Sequence, residues 1–176
     1  LEAGRMRLEY EPAQAADIVL GAVENVREAA DAKNIVVGVV MSGDDELRVD
    51  REQIIKVLTG LMLNAVRFTP EGGRVGLRVR RLAGALNLYV EDNGAGIPRE
   101  ALARVMKPFE QMGAKLENGM KGSGLGLAIA RSIVELHGGS LKIRSNPGQG
   151  TVVRVQLPLE PPAPMLPMPE LARAGG

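Results

Sequence analysis

The residues Gly122-Ser-Gly-Leu-Gly126 lead directly into an apolar, helix-patterned run that begins at Leu127. Glycines so closely spaced can bring bare backbone N–H groups right up to an anion. The first turn of the following helix adds unpaired N–H donors and the positive end of its dipole. Gly122, Gly124, Leu125 and Gly126 could therefore seat a phosphate on backbone alone. A tight turn before a helix would have the same glycines, so this segment needs support from others. Spacing excludes two familiar phosphate loops. The dinucleotide loop requires Gly-x-Gly-x-x-Gly, and Leu127 stands where its third glycine would be. The Walker loop requires Gly-Lys-Ser/Thr, a tripeptide the chain lacks.

A second chemical segment is Asp92-Asn-Gly-Ala-Gly-Ile-Pro98, which follows a strand-like run. It puts the Asp92 carboxylate at a strand end, where it can accept a hydrogen bond from an adenine amino group. Gly94 and Gly96 would leave room for a flat ring against the backbone, with Ile97 beside it. An Asp-Asn-Gly turn without a ligand is the bland alternative. A third segment holds Asn64, set in an apolar helical stripe, and Arg67 nearly one turn on. A helix Asn that faces a core needs a partner. Its amide oxygen is a hard ligand suited to magnesium, which keeps several waters and shares phosphate oxygens. Arg67 could reach a phosphate. Without the glycine segments, a satisfied Asn and a solvated Arg would be the better reading.

Several elements must position these groups. Residues 7–10 alternate charged and apolar groups, as a half-buried strand does. Val19, Val23, Val26 and Ala30 mark a helical stripe over 17–30. Residues 35–41 read as a strand and 47–49 as a short one. Asp50 is placed to cap a helix carrying Ile54, Leu58, Leu61 and Ala65 and stopping at Pro70. Residues 74–81 alternate, with Val75, Leu77 and Val79 on one face and Arg74, Arg78 and Arg80 on the other. Ala83-Gly84 turns the chain into a partner strand over 86–90. A short helix follows Pro98. A helix over 127–136 ends at Gly138-Gly139, and Asn146-Pro-Gly148 turns a last hairpin of 141–144 with 151–157. Residues 107–121 read as a long loop with few apolar anchors, a lid by its length. Phe109 would be its latch, and Lys115 or Lys121 its contacts to a terminal phosphate. The hairpins exclude a parallel dinucleotide-binding sheet as the main element. They predict an α+β, two-layer sandwich, with three helices on one face of a mostly antiparallel mixed sheet.

At 176 residues and 45% hydrophobic content, the chain suits one sizeable domain. A net charge of +1 gives no global field toward nucleic acid. Two Tyr and two Phe are too few for a base-stacking platform. The absence of Cys excludes disulfides and thiolate metal sites and allows a reducing compartment. No apolar run approaches the roughly 20 residues that span a bilayer, and no secretory signal opens the sequence. Six of the eleven prolines lie from Pro158 onward, so residues 159–176 read as a disordered, Pro-rich tail after a domain of 1–158.

Taken in order, these segments resemble the catalytic ATP-binding domain of sensor histidine kinases. That domain belongs to the superfamily shared with DNA gyrase and mismatch-repair ATPases. The resemblance covers roughly residues 1–158. Leu61-Met-Leu-Asn-Ala-Val-Arg-Phe-Thr-Pro70 is similar to the N box, which implies magnesium at Asn64 and phosphate at Arg67. Asp92-Asn-Gly-Ala-Gly96 resembles the first glycine box, which implies that Asp92 reads adenine. Lys107-Pro-Phe-Glu-Gln111 looks like the F box, and Gly122-Ser-Gly-Leu-Gly126 like the second glycine box. Gly148-Gln-Gly-Thr151 resembles the domain's usual ending, with Thr151 near adenine.

The resemblance implies a Bergerat-type fold that binds ATP and Mg2+. It further implies a cytoplasmic domain without membrane or nucleic-acid contact. Its partners would be a dimerisation domain bearing the phosphoacceptor His, in a homodimeric parent, and a response-regulator receiver domain. Two departures stand out. Gly60 occupies the N-box position where kinases carry a polar residue, commonly Asn. No His-Glu-x-x-Thr-Pro-like segment is present, and the single His137 reads as structural. No residue is therefore assigned as catalytic. A degenerate kinase acting as a docking module competes with the active reading. A gyrase-type hydrolase would put a glutamate base at the position of Gly60, so that class is disfavoured.

Overall fold

The computed structural model describes residues 6–105 and 123–163. In chain order the elements are β1 (Glu11–Gln14), α1 (Ala15–Ala32), β2 (Val36–Met41), β3 (Glu46–Val49) and α2 (Arg51–Phe68). They continue with β4 (Arg74–Leu82), β5 (Ala85–Asp92), α3 (Arg99–Val105), α4 (Ser123–Leu136), β6 (Ser140–Asn146) and β7 (Gly150–Pro158). Five strands form one sheet in the order β2-β4-β5-β7-β6, antiparallel except for the β2–β4 pair. A separate antiparallel pair joins β1 to β3.

Sequence periodicity accounts for the layering. Along β4, Val75, Leu77 and Val79 are buried, and along β7 so are Val153, Val155 and Leu157. Their side chains meet α1, α2 and α4, which cover that one face. The opposite face carries polar neighbours. Arg78 pairs with Glu91 and lies 4.8 Å from the Tyr89 ring centroid. Arg154 donates to Asn87. Alternation with period two makes this division unavoidable once one face is buried.

The helix signals act as their chemistry dictates. Asp50 caps α2 by accepting the Gln53 N–H at 3.1 Å. Gly138, at φ +79, ends α4, where the Gly138 and Gly139 N–H groups take the carbonyls of Glu135 and Val134. Two expectations need correction. Residues 7–10 form no strand, and β1 begins at Glu11. Glu9 N–H instead donates to the Asp50 carboxylate, and Tyr10 Oη–H to the Leu136 carbonyl. Their hydrogen bonds go to helix ends rather than to a ladder. Helix α4 also starts at Ser123, so Gly124 and Gly126 lie within its opening turns and not ahead of it. The chain past β7 stays docked at first: Leu159 accepts the Arg48 N–H, and Pro162 packs on Gly138.

Candidate functional site

Strand β5 ends at Asp92, and α2 runs alongside with Asn64 in its penultimate turn. Asn64, Asp92, Ile97 and Thr151 line one pocket, whose remaining walls are apolar and include Leu61, Val90 and Val153. Four of the expected site residues are thus brought together from three separate segments. Gly126 adds the N-terminal part of α4, because a Cβ built there would lie 3.7 Å from Asn64 Nδ2. Arg67 is one turn past Asn64 but is not among the residues lining the pocket. Phe109, Lys115, Lys121 and Gly122, with the loop they belong to, lie outside the described residues. Gly124 and Leu125 are placed only as backbone of α4.

Asp92 is held for a specific direction. One carboxylate oxygen accepts the Gly94 N–H at 2.9 Å. Desolvation in the half-buried site raises its pKa above 3.8, opposed by hydrogen bonds from the Gly94 and Thr151 backbones. A carboxylate held by backbone N–H groups and lining a mostly apolar pocket can accept a hydrogen bond from the amino edge of a flat ligand.

The glycines of this loop have a packing role that was not read from sequence. A Cβ at Gly94 would stand 2.5 Å from the Phe68 carbonyl oxygen. At Gly96, with φ +77, it would strike the Asn146 carbonyl. The room they make is filled by the protein's own backbone, which fastens the Asp92 loop between α2 and the β6–β7 hairpin. Gly148 N–H completes that seam by donating to the Ala95 carbonyl at 2.7 Å.

Ser145 is a site residue that sequence reading missed. Its Oγ accepts the Ile97 N–H at 2.6 Å and lies 2.8 Å from Thr151 Oγ1. It thereby ties the loop to the strand that carries Thr151. Only the strand register, which sets Ser145 opposite Thr151, exposes the link. His137 is structural, as expected. It is buried, its Nε2 accepts the Asp50 N–H at 3.0 Å, and Nδ1 stands 2.7 Å from the Ile133 carbonyl. With Nε2 accepting, the proton resides on Nδ1, and desolvation lowers the pKa below 6.5.

Residues 49–161 match the histidine kinase-, DNA gyrase B- and HSP90-like ATPase family. The chain belongs to that family. Within it, similar proteins are histidine kinases. The chain is 36% identical over 160 residues to the histidine protein kinase DivJ of Caulobacter vibrioides, covering 90% of this chain and 27% of that protein. It is 37% identical over 163 residues to the non-motile and phage-resistance protein of the same organism, covering 90% and 19%. The chain therefore spans only a minor part of these relatives. Among solved structures, the catalytic domain of histidine kinase ThkA superposes with a TM-score of 0.76 at 25% identity, over 88% of this chain and 98% of that one. Full-length ShkA in complex with AMPPNP gives 0.77 at 26% identity, over 91% and 33%. The ATPase fold of the family, in its histidine-kinase form, is what the α-layer and the five-stranded sheet build.

Proposed function

We propose that this chain binds ATP with magnesium and presents the γ-phosphate to a histidine on a dimerisation domain outside it. The observation that carries the reading is the half-buried Asp92 carboxylate facing an apolar pocket that Asn64 also lines. Asp92 would accept the adenine amino group, with Thr151 and Ile97 at the ring and the opening turns of α4 at the phosphates. Gly122, Lys115 and Lys121 would add phosphate contacts, Phe109 a hydrophobic latch and Arg67 a nearby cation. The AMPPNP complex of ShkA supports the ligand class.

Magnesium fits the donor set. Asn64 offers one hard amide oxygen at the pocket wall, and among the described residues no group of three or more His, Cys, Asp or Glu forms a separate cage. A cation here would take its remaining ligands from phosphate and water, which is the usual habit of Mg2+. When bound, the ion neutralises phosphate charge. The protein's own share is positioning and electrostatic stabilisation in a desolvated site.

In this reading the parent protein is a homodimeric two-component kinase that passes its phosphoryl group to a receiver domain, with this domain in the cytoplasm. Among the described residues no helix is long and apolar enough to cross a membrane. Gly60 favours a second reading, a degenerate kinase used as a docking module, since the N-box polar side chain is missing. Mixing the chain with its parent's dimerisation domain and labelled ATP separates the two. Acid-labile label on the added domain is the expected result. Nucleotide binding without transfer would favour the docking module.

A further inference from the structure

Helix α2 carries Asn64 and Arg67 and ends at Phe68, and the Ala65 carbonyl accepts the Thr69 N–H. The next four carbonyls, of Val66, Arg67, Phe68 and the capping Thr69, lie at the helix end beyond the last helical bond. One side chain from the α1–β2 turn meets most of them. Lys33 Nζ donates to the carbonyls of Val66 at 2.9 Å, Arg67 at 3.1 Å and Thr69 at 2.6 Å. All three ammonium donors are thereby engaged, at the negative end of the helix dipole. The remaining carbonyl in that stretch, of Phe68, is the one against which Gly94 of the Asp92 loop presses. The same lysine also accepts the Gly72 N–H on its own carbonyl at 3.0 Å. Asn34, at φ +53, continues the turn and donates to Glu71 at 3.1 Å.

The last turn of α2 is thus held from two sides, by an ammonium and by a glycine of the adenine-side loop. We propose that Lys33 is a positioning residue for the nucleotide site, setting the distance between Asn64 and Asp92 without touching ligand. The inference rests on the proposed nucleotide-binding function, and it gives Lys33 a role that no sequence motif indicated. Losing the ammonium leaves three carbonyls competing for water and frees the turn to move relative to Gly94. A misplacement of about 1 Å among groups that position a substrate can cost on the order of a hundredfold in rate.

Lys33→Met keeps the aliphatic stem and removes the donors. Hydrogen exchange of the Thr69, Gly72 and Gly73 amides in nucleotide-free protein should accelerate. Calorimetry well below the unfolding midpoint should show Mg-ADP bound about tenfold more weakly. Lys33→Arg, which restores several donors, should recover most of the affinity. Should the Met variant fail to fold, Lys33→Gln, with one amide donor group, carries the same comparison. A lower melting temperature with unchanged Mg-ADP affinity would make Lys33 merely structural and overturn the proposal. A parent protein that binds no Mg-ADP would instead refute the nucleotide reading. In that case the exchange rates at 69–73 still decide whether the clamp exists, and unchanged rates would refute it.

Discussion

Asp92→Asn separates recognition from folding because its two effects have different signs. The substitution preserves shape, and the amide oxygen can still accept the Gly94 N–H that Asp92 takes at 2.9 Å. The loop should therefore stay in place. What changes is the second carboxylate oxygen, which becomes an NH2 and, in the proposed site, would oppose the adenine amino group donor to donor. A hydrogen bond to a charged acceptor contributes about 1.5–3 kcal/mol. Asp92 is only half-buried, so the lower half of that range applies, roughly a ten- to fortyfold loss of ATP affinity.

Stability should move the other way or not at all. Desolvation raises the Asp92 pKa, so the charged form is disfavoured in the fold at neutral pH and its removal relieves that cost. The same shift sets a pH dependence. ATP affinity of the parent should fall on acidification at a pH above that of an ordinary aspartate, while the Asn variant stays flat over the same range. Calorimetric titration of both proteins with ATP and GTP, beside their thermal unfolding curves, reads all of this. Equal ATP affinity in parent and variant, or equal binding of ATP and GTP by the parent, would refute the role of Asp92.

Asn64→Ala should remove the magnesium-dependent part of ATP affinity and leave the fold intact, as titrations with magnesium and with a chelator would show; equal strengthening by magnesium in both proteins would exclude Asn64 as ligand. Gly60 lies within α2, and a Cβ there would meet nothing within 4 Å. Gly60→Ala should therefore stabilise the domain by about 0.5–1 kcal/mol, seen as a rise of roughly 1–4 °C in the melting temperature. Gly60→Asn should raise the phosphotransfer rate if the missing side chain limits the chemistry, and an unchanged rate would show that it does not. The unfolded chain protonates His137 near pH 6.5, whereas the folded pKa is lowered, so stability should be full above pH 6.5 and fall as the pH drops through and below it. His137→Gln should flatten that slope in denaturant titrations across this range.

The strongly periodic parts of the fold were legible in the sequence. Alternation at Val75, Leu77 and Val79 gave the buried face of β4, and the stripe of Ile54, Leu58, Leu61 and Ala65 gave the buried face of α2. Asp50 and Gly138-Gly139 marked helix ends because capping chemistry is local. The misreadings arose where long-range partners decide. Residues 7–10 alternate like a strand, yet Glu9 and Tyr10 are claimed by Asp50 and Leu136, at sequence separations of 41 and 126. Gly94 and Gly96 were read as room for a ligand, and the backbone packing that also requires them, against the Phe68 and Asn146 carbonyls, has no local signature. Asn64, Asp92, Ile97 and Thr151 were found by motif and do share a pocket. Ser145 and Lys33 were not found, since a serine in a strand and a lysine after a helix carry no local signature of the loops they hold.

The central claim is that the pocket between α2, the Asp92 loop and α4 is an ATP site. Amide chemical-shift mapping of the isotopically labelled chain, titrated with Mg-ATP, tests it most directly. Saturable shifts should centre on Asn64, Asp92, Gly94, Ile97 and Thr151, and Mg-GTP should leave them nearly unmoved. A spectrum unchanged at millimolar Mg-ATP, or shifts confined to the polar face around Arg78 and Arg154, would contradict it.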